Sequence, residues 1–170
     1  MTRFKQLMAR VLGCLCMLVF TSLVLNVLWG VVTRYLLGHQ AHWTEELARL
    51  LLVWLAMIGA ALAYIENKHL GVDVLTRSLH SSSQRVARFL THLVVFLFAS
   101  AVMIYGGVSL VIDRWQAGQV LAALSINKAW FYLAVPISGL LIAVFALDAT
   151  LAAMTGRATP TDPQPVEVKP

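Results

Sequence analysis

The sequence predicts an all-α integral membrane protein with four transmembrane helices. Its composition supports this fold class, because 59% of the 170 residues are hydrophobic and only 12% are charged. A soluble domain is typically about 45–50% apolar and about 25% charged. The second observation is that the apolar residues form four runs of about 20, the length that crosses a bilayer. The third is that charged residues close these runs and avoid their centres.

The four runs define the predicted domain organisation. The spans are expected at residues 11–32, 47–65, 89–112 and 129–147. With their connections they form one transmembrane domain, residues 1–154. Pro136 lies inside the last span, where it removes one backbone donor and predicts a bend, and Gly139 allows close packing nearby. Residues 155–170 are polar and rich in proline, which predicts a disordered tail.

The positions of Lys and Arg predict the orientation in the membrane. Nine of the 13 lie in the N-terminal segment, the middle connection and the tail, whereas four lie in the other two connections. Because Lys and Arg are enriched on the cytoplasmic side, both termini and the middle connection are expected in the cytoplasm. The net charge of +5 reflects this placement. It is therefore a topology signal, and no nucleic-acid partner is predicted.

Two connections contain apolar residues that suggest short elements of their own. In the middle connection, Val74–Arg88 mixes apolar and basic side chains, which favours an amphipathic segment on the anionic inner leaflet, broken at Ser81–Ser83. Membrane lipids are therefore a predicted partner. In the second outer connection, Val120–Leu124 is apolar but too short to span. Two interpretations stay open for it, a shallow helix and a docking surface.

The start of the second span carries the densest group of polar residues. Trp43 suits the membrane interface, and Thr44 is expected to cap the helix. Glu45 and Glu46 then lie in the first turn, where the helix dipole favours anions. They are four and three residues before Arg49, so both carboxylates are expected to pair with this guanidinium.

Further along the second span, small residues recur at helical spacing. Ala56, Gly59, Ala60 and Ala63 form one stripe, and Trp54 lies near it. Small residues let a second helix approach closely in lipid, where packing drives association. Two interpretations stay open, a contact within the protein's own bundle and a contact with a partner protein.

Few side chains suggest catalysis or metal binding. No Asp, Glu, Lys or Arg lies in the middle of a predicted span, and such charges usually mark ion or proton pathways. Asn26 is expected to hydrogen-bond to a neighbouring helix. His69 and Asp73 are four residues apart, but two ligands are too few for a metal site. No catalytic residue, metal or cofactor is predicted.

Several short motifs follow one another in an order that suggests a family. They are Arg34-Tyr35, then Trp43, Glu45, Glu46 and Arg49, then Trp54, Gly59-Ala60-Ala61, His69 with Asp73, and Trp130, Tyr132, Pro136 and Ser138. In this order and spacing the chain resembles the DctQ-like small membrane subunit of tripartite ATP-independent periplasmic (TRAP) transporters. The likeness covers roughly residues 20–150.

The resemblance implies a transport role without catalysis. In this family a large membrane subunit holds the substrate and sodium sites and moves as an elevator. A periplasmic substrate-binding protein delivers an organic acid, and the small subunit braces the large one in the bacterial inner membrane. The resemblance assigns interface or structural roles to the following residues: Arg34, Trp43, Glu45, Glu46, Arg49, Trp54, Gly59, Ala63, His69, Asp73 and Pro136.

Two alternative functions stay open at this point. One is a haem- or quinone-binding membrane anchor of a respiratory enzyme, which needs facing axial histidines inside the bundle. Of five histidines, only His92 lies clearly inside a predicted span. The other is a small transporter or channel that works alone, which the uncharged spans disfavour.

Overall fold

The structure is a computed structural model that describes residues 2–36, 38, 41–66 and 81–155. For residues 2, 81–88 and 152–155 it describes the backbone alone. The elements are α1 (Thr2–Leu36), α2 (His42–Ile65), α3 (Ser81–Phe98), a π-helical segment (Ala99–Gly106), α4 (Gly107–Gln116) and α5 (Ala129–Thr155). The third span is made of α3, the π-helical segment and α4 in direct succession.

The predicted fold class is confirmed. Four helices are long and apolar enough to cross a membrane, at Arg3–Leu36, His42–Ile65, Phe89–Gln116 and Ala129–Leu151. The helices extend beyond the predicted spans because polar residues in the interface also take part in helices. The 35 residues of α1 would be about 52 Å long, which exceeds a hydrocarbon core of about 30 Å. The predicted orientation of the termini stays a prediction.

The predicted connection before the third span is described only in part. Ser81–Ser83 belong to α3, which begins at Ser81 and runs without interruption into the span, so a break between Ser81 and the preceding residues stays a prediction. Residues 67–80, which include most of the expected amphipathic segment, lie outside the described residues. The predicted tail also falls outside them, apart from Thr155 at the end of α5.

The last span lies at the centre of the bundle. Helix α5 packs against α2 on one side and against the third span on the other, whereas α1 packs chiefly on α2. The buried core is apolar and joins Ile58, Ala61, Ala99, Phe145 and Ala146. Most other apolar side chains are exposed on the outside of the helices. This is expected for a protein whose solvent is lipid.

The third and fourth spans approach closely at two glycines. A Cβ atom on Gly107 would lie 3.0 Å from Pro136 Cδ, and a Cβ atom on Gly139 would lie 2.6 Å from Met103 Cβ. Helix α5 is continuous through Pro136. Because Gly107 has no side chain, it leaves room for the ring of Pro136. The prediction that Gly139 allows close packing is confirmed.

The N-terminal end of α1 reaches α5 through long side chains. Lys5 Nζ lies 2.9 Å from Asp148 Oδ2, and the rings of Phe4 and Phe145 stack with centroids 6.3 Å apart. The backbones of these helices remain apart further along the membrane. Between α1, α2 and α5 this separation leaves an apolar groove of about 790 Å³, lined in part by Leu15, Trp54 and Ile137.

Candidate functional site

The polar residues at the start of α2 form the candidate site. The chain turns at Ala41, which has φ −71° and ψ 113°, and α2 begins at His42. Thr44 is therefore inside the helix, and its Oγ1 donates to the Ala41 carbonyl oxygen at 2.6 Å. The prediction that Thr44 caps the helix is wrong, because the helix starts three residues earlier than expected, with Ala41 at the cap position.

Asn26 connects the first two spans near this end. Its Nδ2 donates to the carbonyl oxygen of Thr44 at 2.7 Å, and both residues are buried. The predicted hydrogen bond from Asn26 to a neighbouring helix is confirmed. Beside it lies a cleft of about 180 Å³, whose lining includes Arg34 and Glu45. The Arg34 side chain is exposed, and Trp43 is 39% exposed at the helix start.

The two carboxylates of the first turn have different partners. Glu45 Oε1 and Arg49 Nη2 form a salt bridge across one helical turn, on the exposed side of α2. Glu46 does not join this pair, contrary to the prediction. Its Oε2 accepts hydrogen bonds from the backbone N–H groups of Ala123 (3.1 Å) and Leu124 (3.2 Å). Glu46 therefore connects the start of α2 to the second outer connection.

The connection that Glu46 holds is a compact turn. Leu121 N donates to the Ile126 carbonyl at 2.8 Å, and Lys128 N donates to the Gln119 carbonyl at 2.8 Å. Ser125 has a φ of 53°, which lets the chain reverse. The shallow-helix interpretation of Val120–Leu124 is wrong, because these paired backbone groups leave no helix there.

Trp54 also joins two spans. Its indole Nε1 donates to the carbonyl oxygen of Trp130 at 3.1 Å, in the first turn of α5. One end of α5 is thus tied to α2 by Trp54, while Glu46 ties the preceding connection to the same helix. Together these contacts join α2, the start of α5 and the connection before α5 as one unit.

The small-residue stripe of α2 points away from the described core. Ala56 and Ala60 are exposed, Ala63 is half-buried, and a Cβ atom on Gly59 would meet nothing within 4 Å. The buried residues of the same helix are Thr44, Ile58, Ala61, Tyr64 and Ile65. The described part of the bundle therefore does not pack on Gly59, and the stripe's contact with a partner stays a prediction.

The remaining predicted residues divide in two groups. His69 and Asp73 lie outside the described residues. His92 lies inside the third span, where its Nδ1 is 3.0 Å from the hydroxyl of Tyr64, a contact between α2 and α3. Among the described residues no three His, Cys, Asp or Glu side chains are grouped as a metal site would require.

Several of these contacts carry little sequence signal. Glu46 and Ala123 are 77 residues apart, and Lys5 and Asp148 are further apart still. The signal that could have found the Lys5–Asp148 pair is that each charge closes an apolar run. Both lie where a chain with cytoplasmic termini would bring its two ends together.

The comparison with known families decides the class of this membrane protein. The family model described as "Tripartite ATP-independent periplasmic transporters, DctQ component" matches residues 23–156. The chain belongs to this family. The predicted resemblance is thereby confirmed, and the DctQ-family chain is a multi-pass protein of the inner membrane that takes part in transport.

Individual relatives of the DctQ-family chain show how far the likeness extends. A putative TRAP transporter small permease protein of Haemophilus influenzae is 34% identical over 88 residues, which are 52% of this chain and 55% of that protein. The chain thus matches about half the length of that relative. The ectoine TRAP transporter small permease protein TeaB of Halomonas elongata is 26% identical over 159 residues, which are 92% of this chain and 78% of TeaB.

A third relative is much longer. The sialic acid TRAP transporter permease protein SiaT of Haemophilus influenzae is 26% identical over 120 residues, which are 68% of this chain but only 19% of SiaT. SiaT is therefore roughly five times as long as the match. In that relative the part that resembles this chain is joined in one polypeptide to a larger remainder.

Proposed function

We propose that this protein is the non-catalytic small permease subunit of a TRAP transporter and braces a large elevator-type membrane subunit. The observation that carries the proposal is the family match over residues 23–156. The large subunit would hold the substrate and sodium sites. This chain would enlarge its stationary part within the membrane.

The contacts of the described residues support a bracing role. The polar side chains at the outer end mostly join one part of this chain to another. Asn26 joins α1 to α2, Glu46 joins α2 to the second outer connection, and Trp54 joins α2 to α5. A brace must keep its shape while a neighbour moves, and interhelical hydrogen bonds supply such rigidity in lipid.

The names of the relatives support the choice of partners. SiaT combines a part similar to this chain with a larger remainder, so a large permease subunit is the proposed membrane partner. Ectoine and sialic acid, the compounds in the names of TeaB and SiaT, both contain a carboxylate. An organic acid delivered by a periplasmic substrate-binding protein and carried with sodium is the corresponding proposal for this chain.

The proposal is tested by gene deletion in the organism of origin. Deleting this chain is expected to abolish uptake of the organic acid while leaving the large subunit in the membrane, as a blot for that subunit would show. A plasmid copy of this chain should restore uptake. Full uptake by cells that lack this chain would contradict a bracing role.

A further inference from the structure

The third span is the least enclosed of the four. Only 11% of the residues in its apolar stretch are buried within the chain, compared with 39% for the fourth span. Among the described helices its backbone lies close to α5 only, although side chains such as His92 reach Tyr64 of α2. One long side of this span therefore faces outward.

Tyr105 lies on this outward side and is 78% exposed. The span runs from Phe89 to Gln116, so Tyr105 is within about 4 Å of its midpoint along the helix axis. Gln116, the outer end of the span, is about 16 Å away. A side chain on a helix points toward the preceding turn, which here leads toward the midpoint. The tyrosine hydroxyl therefore stays in the hydrocarbon region.

This hydroxyl has no hydrogen-bond partner among the described residues. Ser109, one helical turn further on, is also exposed and has no side-chain hydrogen bond within the described ranges. Lipid tails offer neither donors nor acceptors, so an exposed polar group at this depth is unfavourable unless protein covers it. The exposed hydroxyls of Tyr105 and Ser109 therefore indicate a protein neighbour that supplies a hydrogen-bond acceptor.

The residues around Tyr105 allow such a neighbour to come close. Ala101 and Gly106 are both exposed, and a Cβ atom on Gly106 would meet only the Ala101 carbonyl oxygen, at 3.9 Å. Small residues beside a polar group are typical of contacts between transmembrane helices. We call Ala101, Tyr105, Gly106 and Ser109 the Tyr105 face.

We propose that the Tyr105 face is the surface that docks a transmembrane helix of the large permease subunit. That helix presents a hydrogen-bond acceptor at mid-depth, such as an amide or hydroxyl side chain or a carbonyl freed at a helix break. A second copy of this chain fits less well, because SiaT joins a similar part to a larger membrane polypeptide. The inference rests on the proposed function and adds the contact surface to it.

Photo-crosslinking tests the position of this surface. The amino acid p-benzoylphenylalanine is placed at Tyr105 or, as the matched control, at Phe20, which is 56% exposed near the middle of the first span. Each variant is co-expressed with the large permease subunit of the same organism and irradiated in membranes. The expected result is an adduct with the large subunit from position 105 and not from position 20. An adduct from position 20 alone, or an adduct of position 105 with a second copy of this chain, overturns the proposal.

Co-purification then measures the contact. Gly106→Leu should lower the amount of large subunit recovered by at least tenfold, and Tyr105→Phe by roughly threefold. Gly13→Leu is the control, since a Cβ atom on Gly13 meets nothing within 4 Å. If all three variants recover the large subunit as the wild type does, the Tyr105 face is not the docking surface, while the proposed function stands. If the wild type itself recovers none, the proposed function fails and the docking surface with it.

Discussion

At the scale of single residues, Glu46 joins the start of α2 to the connection before α5. One carboxylate oxygen accepts two backbone N–H groups from the second outer connection. Hydrogen bonds to charged groups are stronger than neutral ones. Glu45, its neighbour, pairs with Arg49 on the exposed side of the helix, where solvent and salt weaken the attraction.

This difference gives the first prediction. Glu46→Ala should lower the free energy of unfolding by about 1–3 kcal/mol, because two backbone donors lose their acceptor. Glu45→Ala should cost less than about 1 kcal/mol, as exposed ion pairs do. Thermal unfolding of the purified variants in one detergent compares them. Equal losses for the two variants would show that the Glu46 contacts do not hold the connection.

Whether a side-chain contact could be predicted from the sequence depended on how far apart its partners lie along the chain. Glu45 and Arg49 are one helical turn apart, so their spacing alone predicted the pair. Glu46 has the same kind of spacing, but its partners come from a connection 77 residues away. No local pattern could show that Glu46 accepts from these backbone N–H groups and does not pair with Arg49. For Asn26, the cost of an unpaired amide in a span was enough to predict a bond, though not its partner.

At the scale of elements, the third and fourth spans approach closely where glycines of each face the other. Gly139 and Met103 leave no room for a methyl group between them, and Gly107 faces the ring of Pro136. A π-helical segment, Ala99–Gly106, occupies the same part of the third span. Such segments are rare and are frequently found at functional sites.

The second prediction concerns this crossing. Gly139→Ala should destabilise the protein by about 1–3 kcal/mol, because the new Cβ atom would lie 2.6 Å from Met103 Cβ, which cannot swing away. Gly59→Ala, with nothing within 4 Å, should be neutral or stabilising by up to about 1 kcal/mol. Unfolding in detergent measures both. A Gly139→Ala variant as stable as the wild type would mean that the two spans are further apart than described.

The third prediction concerns the contact between α1 and α5 at Lys5 and Asp148. Lys5→Ala, Asp148→Ala and the double variant form a double-mutant cycle, which should give a coupling energy of about 0.5–1 kcal/mol for this partly exposed pair. A protease added to the purified variants should also cut the N-terminal segment faster in both single variants than in the wild type. A coupling energy of zero would leave the stacked rings of Phe4 and Phe145 as the contact that holds these ends.

The elements themselves were the part that sequence predicted best. The four spans could be predicted from the hydrophobic runs, because a helix that crosses the lipid bilayer needs about 20 mostly apolar residues. The helix ends were missed, since residues such as Thr2–Arg10 and Ser81–Arg88 are helical outside the hydrocarbon core, where polarity no longer forbids or requires a helix. The π-helical segment had no signal, because its composition is as apolar as that of an α-helical span.

At the scale of the whole molecule, the bundle is organised around α5, with the first and third spans further out. The third span leaves the Tyr105 face uncovered, and α2 leaves the stripe around Gly59 uncovered. A chain built in this way has surface to offer to a membrane partner. The identity of that partner could be predicted only through the family, because the substrate and its sites are expected on another polypeptide.

This chain is expected to brace a transporter and to carry nothing by itself. Uptake of the organic acid into liposomes under a sodium gradient, with the periplasmic binding protein outside, tests this role. We expect no uptake with this chain alone, little with the large subunit alone, and substrate accumulation when both are present. Sodium-dependent uptake into liposomes that contain only this chain would contradict a bracing role.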